Sequence, residues 1–149
     1  MKQMEEDYVS FEVAKLLKER GFDADTKHDM WYVVKKFSTG CHWNSCTYKV
    51  GDITREYDKK CCILMPTLQM AMKWLRKTHN LHICIFIGED SSCDADGNPV
   101  DVWHFWSYNV TNLCGDMVYD AYDKLDCVEY QSYEDAAEAS IKFCLENLI

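Results

Sequence analysis

Three groups of residues in this 149-residue chain carry types and spacings that could do chemistry. The first is Cys41-His42-x-x-x-Cys46 with Cys61-Cys62 downstream, a set of soft donors. Structural zinc sites pair cysteines two to four residues apart. Here one gap is four and the downstream pair is adjacent, which strains shared chelation, so these thiols read as free and no metal or cofactor is expected. The second group is the acidic run Asp90-Ser-Ser-Cys-Asp94-Ala-Asp96-Gly97-Asn98. Set on a calcium loop with Gly97 at the sixth position, it places Trp103 where a bidentate Glu is required. A solvated hairpin loop accounts for Asp-Gly-Asn-Pro instead. The third group is aromatic: Trp103, His104, Phe105, Trp106 and Tyr108 crowd residues 101–110.

That aromatic run is the strongest candidate for a binding surface. Rings give large contact area at low entropic cost and stack on flat ligands. Trp103, Trp106 and Tyr108 are the candidate contacts, and Lys73 and Arg76 on a nearby helix are candidate cations for a phosphate or an acidic partner. Catalysis is not indicated. The five histidines are scattered, and no nucleophile elbow, metalloprotease helix, phosphate loop or dinucleotide fingerprint occurs. The chain therefore reads as a non-enzyme.

Charge narrows the partners. The net charge is -9, and it is unevenly placed. Residues 1–88 hold 14 Lys/Arg against 11 Asp/Glu, whereas residues 89–149 hold 2 against 14. A phosphate-tracking protein needs a concentrated basic surface, so nucleic-acid binding is disfavoured. An acidic half suits solubility, or a basic partner, or the basic half of another copy. The first residues are charged with no apolar run behind them, and no apolar run is long enough to span a bilayer. Nine cysteines, an odd count, then suggest mostly reduced thiols in a cytoplasmic protein.

The elements that must position these residues follow from periodicity. Ser10 caps a helix over residues 11–20, and Gly21 stops it with Phe22 folding back. Residues 30–37 and 45–50 alternate as two strands joined through a turn at 38–40, and residues 53–57 suggest a short third. Pro66-Thr67 opens a helix whose stripe is Leu68, Ala71, Met72 and Leu75, closed by Asn80 in a left-handed cap. Residues 81–87 follow as a strand with Ile83, Ile85 and Ile87 on one face. It is the most apolar segment, which places it at the centre of the core. A polar loop, 88–99, leads to the aromatic strand 101–110. Further strands are expected at 117–122 and 127–130. Ser132 to Asp135 fits a capping box that starts a last helix, with Ala137, Ile141, Cys144, Leu145 and Leu148 on one face. The expected fold is α+β in one domain over residues 1–149: an antiparallel sheet of about five strands with three helices, mainly on one face.

Three segments also carry a likeness. Residues 10–17 (SFEVAKLL), 66–76 (PTLQMAMKWLR) and 133–149 (YEDAAEASIKFCLENLI) resemble a family of small uncharacterised proteins common in gut bacteria of the Bacteroides group and in their phages and mobile elements. The likeness covers the three helices and implies a context, a small cytosolic accessory protein of phage type, without implying site residues. The leading expectation is a non-catalytic binding protein that recognises a protein partner or itself. One alternative is a protein that sequesters a small nucleotide signal of host defence. Another is an acidic, DNA-mimic-like inhibitor.

Overall fold

The structure, a computed structural model, describes residues 7–22, 31–37, 40–48, 62–123 and 127–149, and only the backbone path of 31–37, 40–48 and 62. Its elements in chain order are α1 (Phe11–Glu19), β1 (Trp31–Phe37), β2 (Gly40–Tyr48), β3 (Cys62–Leu64), α2 (Leu68–His79), β4 (Leu81–Cys93), β5 (Pro99–Asn112), β6 (Met117–Asp120) and α3 (Tyr133–Asn147).

Each helix begins where a hydroxyl can satisfy a free N–H. Ser10 Oγ accepts from the Val13 amide, Thr67 Oγ1 from Met70 and Ser132 Oγ from Asp135. Two helices end where a left-handed residue is tolerated. Gly21 sits at φ +82° and lets the Phe22 N–H return to the Leu17 carbonyl at 2.8 Å, and Asn80 closes α2 at φ +59°. Ser132→Ala removes one of these caps without touching the core. It is expected to cost about 0.5–2 kcal/mol of stability, read from the midpoint of urea unfolding.

The fold is α+β and antiparallel, with three helices among the described residues. The strands, however, do not form one sheet of about five. Six described strands are divided between two three-stranded sheets, ordered β2-β1-β3 and β4-β5-β6. Within the second sheet the apolar strand β4 is an edge and the aromatic strand β5 is the centre. Hydrophobicity places the 81–87 segment at the centre of the core, and Leu81 and Ile83 are buried there, but from an edge strand. Position is decided by hairpins: β5 is joined to β4 on one side and to β6 on the other, so among the described strands of this sheet it has two neighbours and the others one.

One core joins the layers. Val13, Ala14 and Leu17 of α1, Leu68, Ala71 and Leu75 of α2, and Ala137, Ile141, Cys144 and Leu145 of α3 are buried together with Ile63, Leu81, Ile83, Tyr108 and Val110. Opposed residues in an antiparallel pair share a face. The register Ile83↔Val110, Ile85↔Tyr108, Ile87↔Trp106 therefore defines the face on which α2 and α3 rest. The isoleucine row runs out from under that cover: Ile83 is buried, Ile85 half-buried and Ile87 exposed.

The polar segment expected as a loop is mostly strand. β4 continues through Gly88 to Cys93 and pairs with β5 as far as Cys93↔Pro99. The loop proper is Asp94 to Asn98. There the Asp94 carboxylate accepts the Asp96 and Asn98 amides at 2.9 Å, and the Asn98 amide foremost holds its pKa below the usual carboxylate value. These bonds close the tight turn on its own carboxylate. The expected strand at 127–130 is reduced to one bridge, Tyr130↔Trp106. The expected strand at 53–57 lies outside the described residues.

Candidate functional site: a two-faced β-ribbon

β4 and β5 outrun the helices and form a two-stranded ribbon. Its outer half carries exposed apolar side chains: Ile87 is 59% exposed, Val100 61%, Val102 53% and Trp103 40%. Period-two alternation sorts them. Ile87, Val102, Trp106 and the cross-strand pair His104–Glu89 lie on the helix-side face, where His104 Nε2 stands 3.1 Å from Glu89 Oε2. Asp90, Trp103 and Phe105 lie on the opposite, open face.

The candidate aromatics are thus divided, and their surroundings differ. Tyr108 is 3% exposed and packs under α3, where Phe143 stacks on Tyr119 with ring centroids 3.8 Å apart. It is a core residue, out of reach of an incoming ligand. Trp106 is half-buried and meets Tyr133 of α3 edge-on. Trp103 alone of the three is exposed, and it is held in place: its indole N–H donates to the Glu129 carboxylate at 3.3–3.4 Å. Beside it, Phe105 is roofed by the Tyr122 ring at 4.7 Å, and the Tyr122 hydroxyl donates to Asp90 Oδ2 at 3.4 Å. Desolvation first, and then the Asp90 charge, raise the Tyr122 pKa, so the phenol stays protonated and remains a donor. Sequence reasoning missed Tyr122 and Glu129, which come from the excursion between β6 and α3 and reach the ribbon only through the tertiary fold.

The candidate cations are elsewhere. Lys73 and Arg76 are exposed on α2, whose buried residues Leu68, Ala71 and Leu75 rest on the helix-side face of the sheet. They and Trp103 belong to different layers and do not form one site. The acidic half contributes a shallow groove of about 550 Å³ between α1 and α3, lined by Glu12, Glu129, Asp135, Glu138 and Lys142. Much of its polarity is already paired. Lys142 Nζ lies 2.8 Å from Glu12 Oε1, and Glu138 accepts the Ser10 amide at 3.0 Å.

Among the described residues, no group of three His, Cys, Asp or Glu is placed to hold a metal ion. The side chains of Cys41, His42, Cys46, Cys61 and Cys62 lie outside the described residues. No helix of the described residues is long and apolar enough to cross a membrane. Comparison with family profiles, with curated proteins and with solved structures returned no match.

Proposed function

We infer that this chain is a non-catalytic interaction protein whose contact surface is the outer half of the β4–β5 ribbon. The observation that carries it is the set of exposed apolar groups on the ribbon, Ile87 and Val102 on the helix-side face, Trp103 on the open face and Val100 near the ribbon's end. Such groups gain from being taken out of water, and an ordered Trp at the rim of a β-surface costs little entropy to bury. The small accessory protein of phage or mobile-element type implied by the likeness of the helices is a setting in which such a binder would act. The nucleotide-sequestering alternative needs a ring of β5 beside a cation of α2, and Trp103, the exposed ring among the candidates, lies on the face opposite α2. The protein-binding reading therefore takes precedence over it. The acidic-inhibitor alternative leans on carboxylates several of which are spent on the chain's own contacts.

A photo-crosslinking side chain placed at Val102, compared with one at the exposed Glu19 of α1, tests the reading in cells that express the chain. Adducts to protein are expected at Val102 and not at Glu19. Equal yields at both positions, or none at Val102, would remove the ribbon as the contact surface.

A further inference from the structure

We propose that the ribbon's partner is a second copy of this chain, joined edge to edge through β4 about a two-fold axis at Phe86. This rests on the interaction reading above and names the partner.

The argument begins with the backbone. Trp106 exchanges both of its backbone hydrogen bonds with Tyr130, at 3.0 and 2.8 Å, and the Tyr108 carbonyl accepts from Ala121. At these positions β5 turns its polar groups away from β4. Bonded and non-bonded pairs alternate along an antiparallel ladder. Ile85↔Tyr108 and Ile87↔Trp106 are therefore non-bonded pairs, and Ile85 and Ile87 direct their own N–H and C=O outward. By the same alternation Ile83 and Glu89 do so too. β4 ends its sheet, and among the described residues nothing pairs with this outer edge. Edge strands are commonly guarded by Lys, Pro or a covering element. The 13 residues of β4 include neither Lys, Arg nor Pro.

An edge of this kind is completed by any added strand. Its sequence fits its own copy. Antiparallel pairing centred on Phe86 makes Ile85 and Ile87 of one copy the bonded partners of Ile87 and Ile85 of the other. That gives a four-isoleucine patch on the helix-side face. On the open face it sets Phe86 against Phe86 and His82 against Asp90, an imidazole opposite a carboxylate, twice by symmetry. Neighbouring registers lack this. Centring on Ile85 sets His82 against Gly88, which removes the imidazole–carboxylate pair; an apolar residue faces Glu89 in both registers, Leu81 here and Ile83 in the register centred on Phe86. Centring on Ile87 sets Phe86 against Gly88, whose open-face space is filled by the Phe105 ring. The product is one six-stranded sheet ordered β6-β5-β4-β4-β5-β6, isologous and closed.

Native mass spectrometry and light scattering of the purified full chain are expected to give twice the single-chain mass of 17.5 kDa. Ile87→Pro deletes an outward N–H that no described residue of the single chain pairs with, at an edge position where Pro is tolerated. It is expected to keep the circular dichroism spectrum and to weaken association about tenfold or more. Phe86→Cys, with Cys84 and Cys93 replaced by Ser, is expected to give a disulfide between the two introduced thiols on mild oxidation, because non-bonded pairs bring Cα atoms within disulfide range. A monomeric chain, a dimer indifferent to Ile87→Pro that also leaves the introduced thiols unjoined, or failure of that disulfide in a folded dimer would overturn the pairing. A monomer that still gave adducts to other proteins at Val102 would overturn the self-pairing alone. An intact dimer with no Val102 adducts would overturn the wider contact surface and leave the β4 pairing standing.

Discussion

Phe105→Ala is expected to cost about 3–5 kcal/mol, and Gly88→Ala about 1–3 kcal/mol, yet the two together should cost little more than the first alone. Gly88 and Phe105 are directly opposed across β4 and β5 on the open face. A Cβ built on Gly88 would overlap the tip of the Phe105 ring, so the ring occupies the space that a side chain at residue 88 would take. Phe105 is 4% exposed there, closed in by Tyr122. Truncating it leaves a void on a sheet face that no described helix covers. Adding a methyl at Gly88 drives the ring off its seat and lifts Tyr122 away from Asp90. In the absence of the ring, the same methyl fills part of the void and gains the better strand propensity of alanine. Urea unfolding of the wild type, both single variants and the double variant gives the coupling directly. Independent, additive costs would mean that the ring does not use the glycine as its seat.

That pair shows where the sequence was and was not readable. The helices were legible because their signals are local. Ser10, Thr67 and Ser132 cap within three residues of themselves, and Gly21 and Asn80 take the left-handed conformation their types favour. Gly88 reads locally as a breaker, followed by Glu89, Asp90 and two serines. Only the register with a strand 17 residues away shows it as a seat for an aromatic ring. The extension of β4 was hidden for the same reason. A ribbon exposed on both faces needs no apolar alternation, so its composition resembles a loop while its cross-strand pairs, Glu89 with His104 and Asp90 with Trp103, hold the ladder.

The candidate site was half legible. The aromatic strand was evident, and alternation alone separates Trp103 from Trp106 and Tyr108. Which of those faces would receive the helices depends on α2 and α3 choosing the side of Ile83 and Val110, a tertiary outcome. The outer edge of β4, unpaired among the described residues, was not legible at all. It emerges from the hydrogen bonds of Trp106 and Tyr108 on the far side of β5, which settle where the isoleucine amides point. Lys73 and Arg76 lie on the polar side of their helix, as periodicity implied, but amphipathicity cannot say which layer the opposite stripe will join.

Stability should be flat through neutral pH and fall steeply in alkali, and the same burial should silence one thiol among five described. Cys144 is fully buried on α3 beside Ile141 and Leu145. Burial pushes its thiol from the usual 9.0 up to about 12. Above pH 9 the unfolded chain gives up a proton that the folded chain keeps. The contribution is therefore whole below pH 9 and is lost as pH rises toward 12. Tyr108 acts in the same direction above its usual value of 10.0, raised by burial first and then by Tyr130 and Tyr119. The melting temperature is expected to hold to about pH 9 and then drop, and Cys144→Ala should lower it at neutral pH but flatten the first part of the fall. At pH 8 the Cys144 thiolate is scarcer than that of an ordinary thiol by about a thousandfold, and the folded chain shields it as well. Timed alkylation read by peptide mass should label Cys84, Cys93, Cys114 and Cys127, all exposed, long before Cys144. Labelling of Cys144 at the rate of Cys114 in the folded protein would show that α3 does not bury that face, and the shared core of both sheets would have to be redrawn.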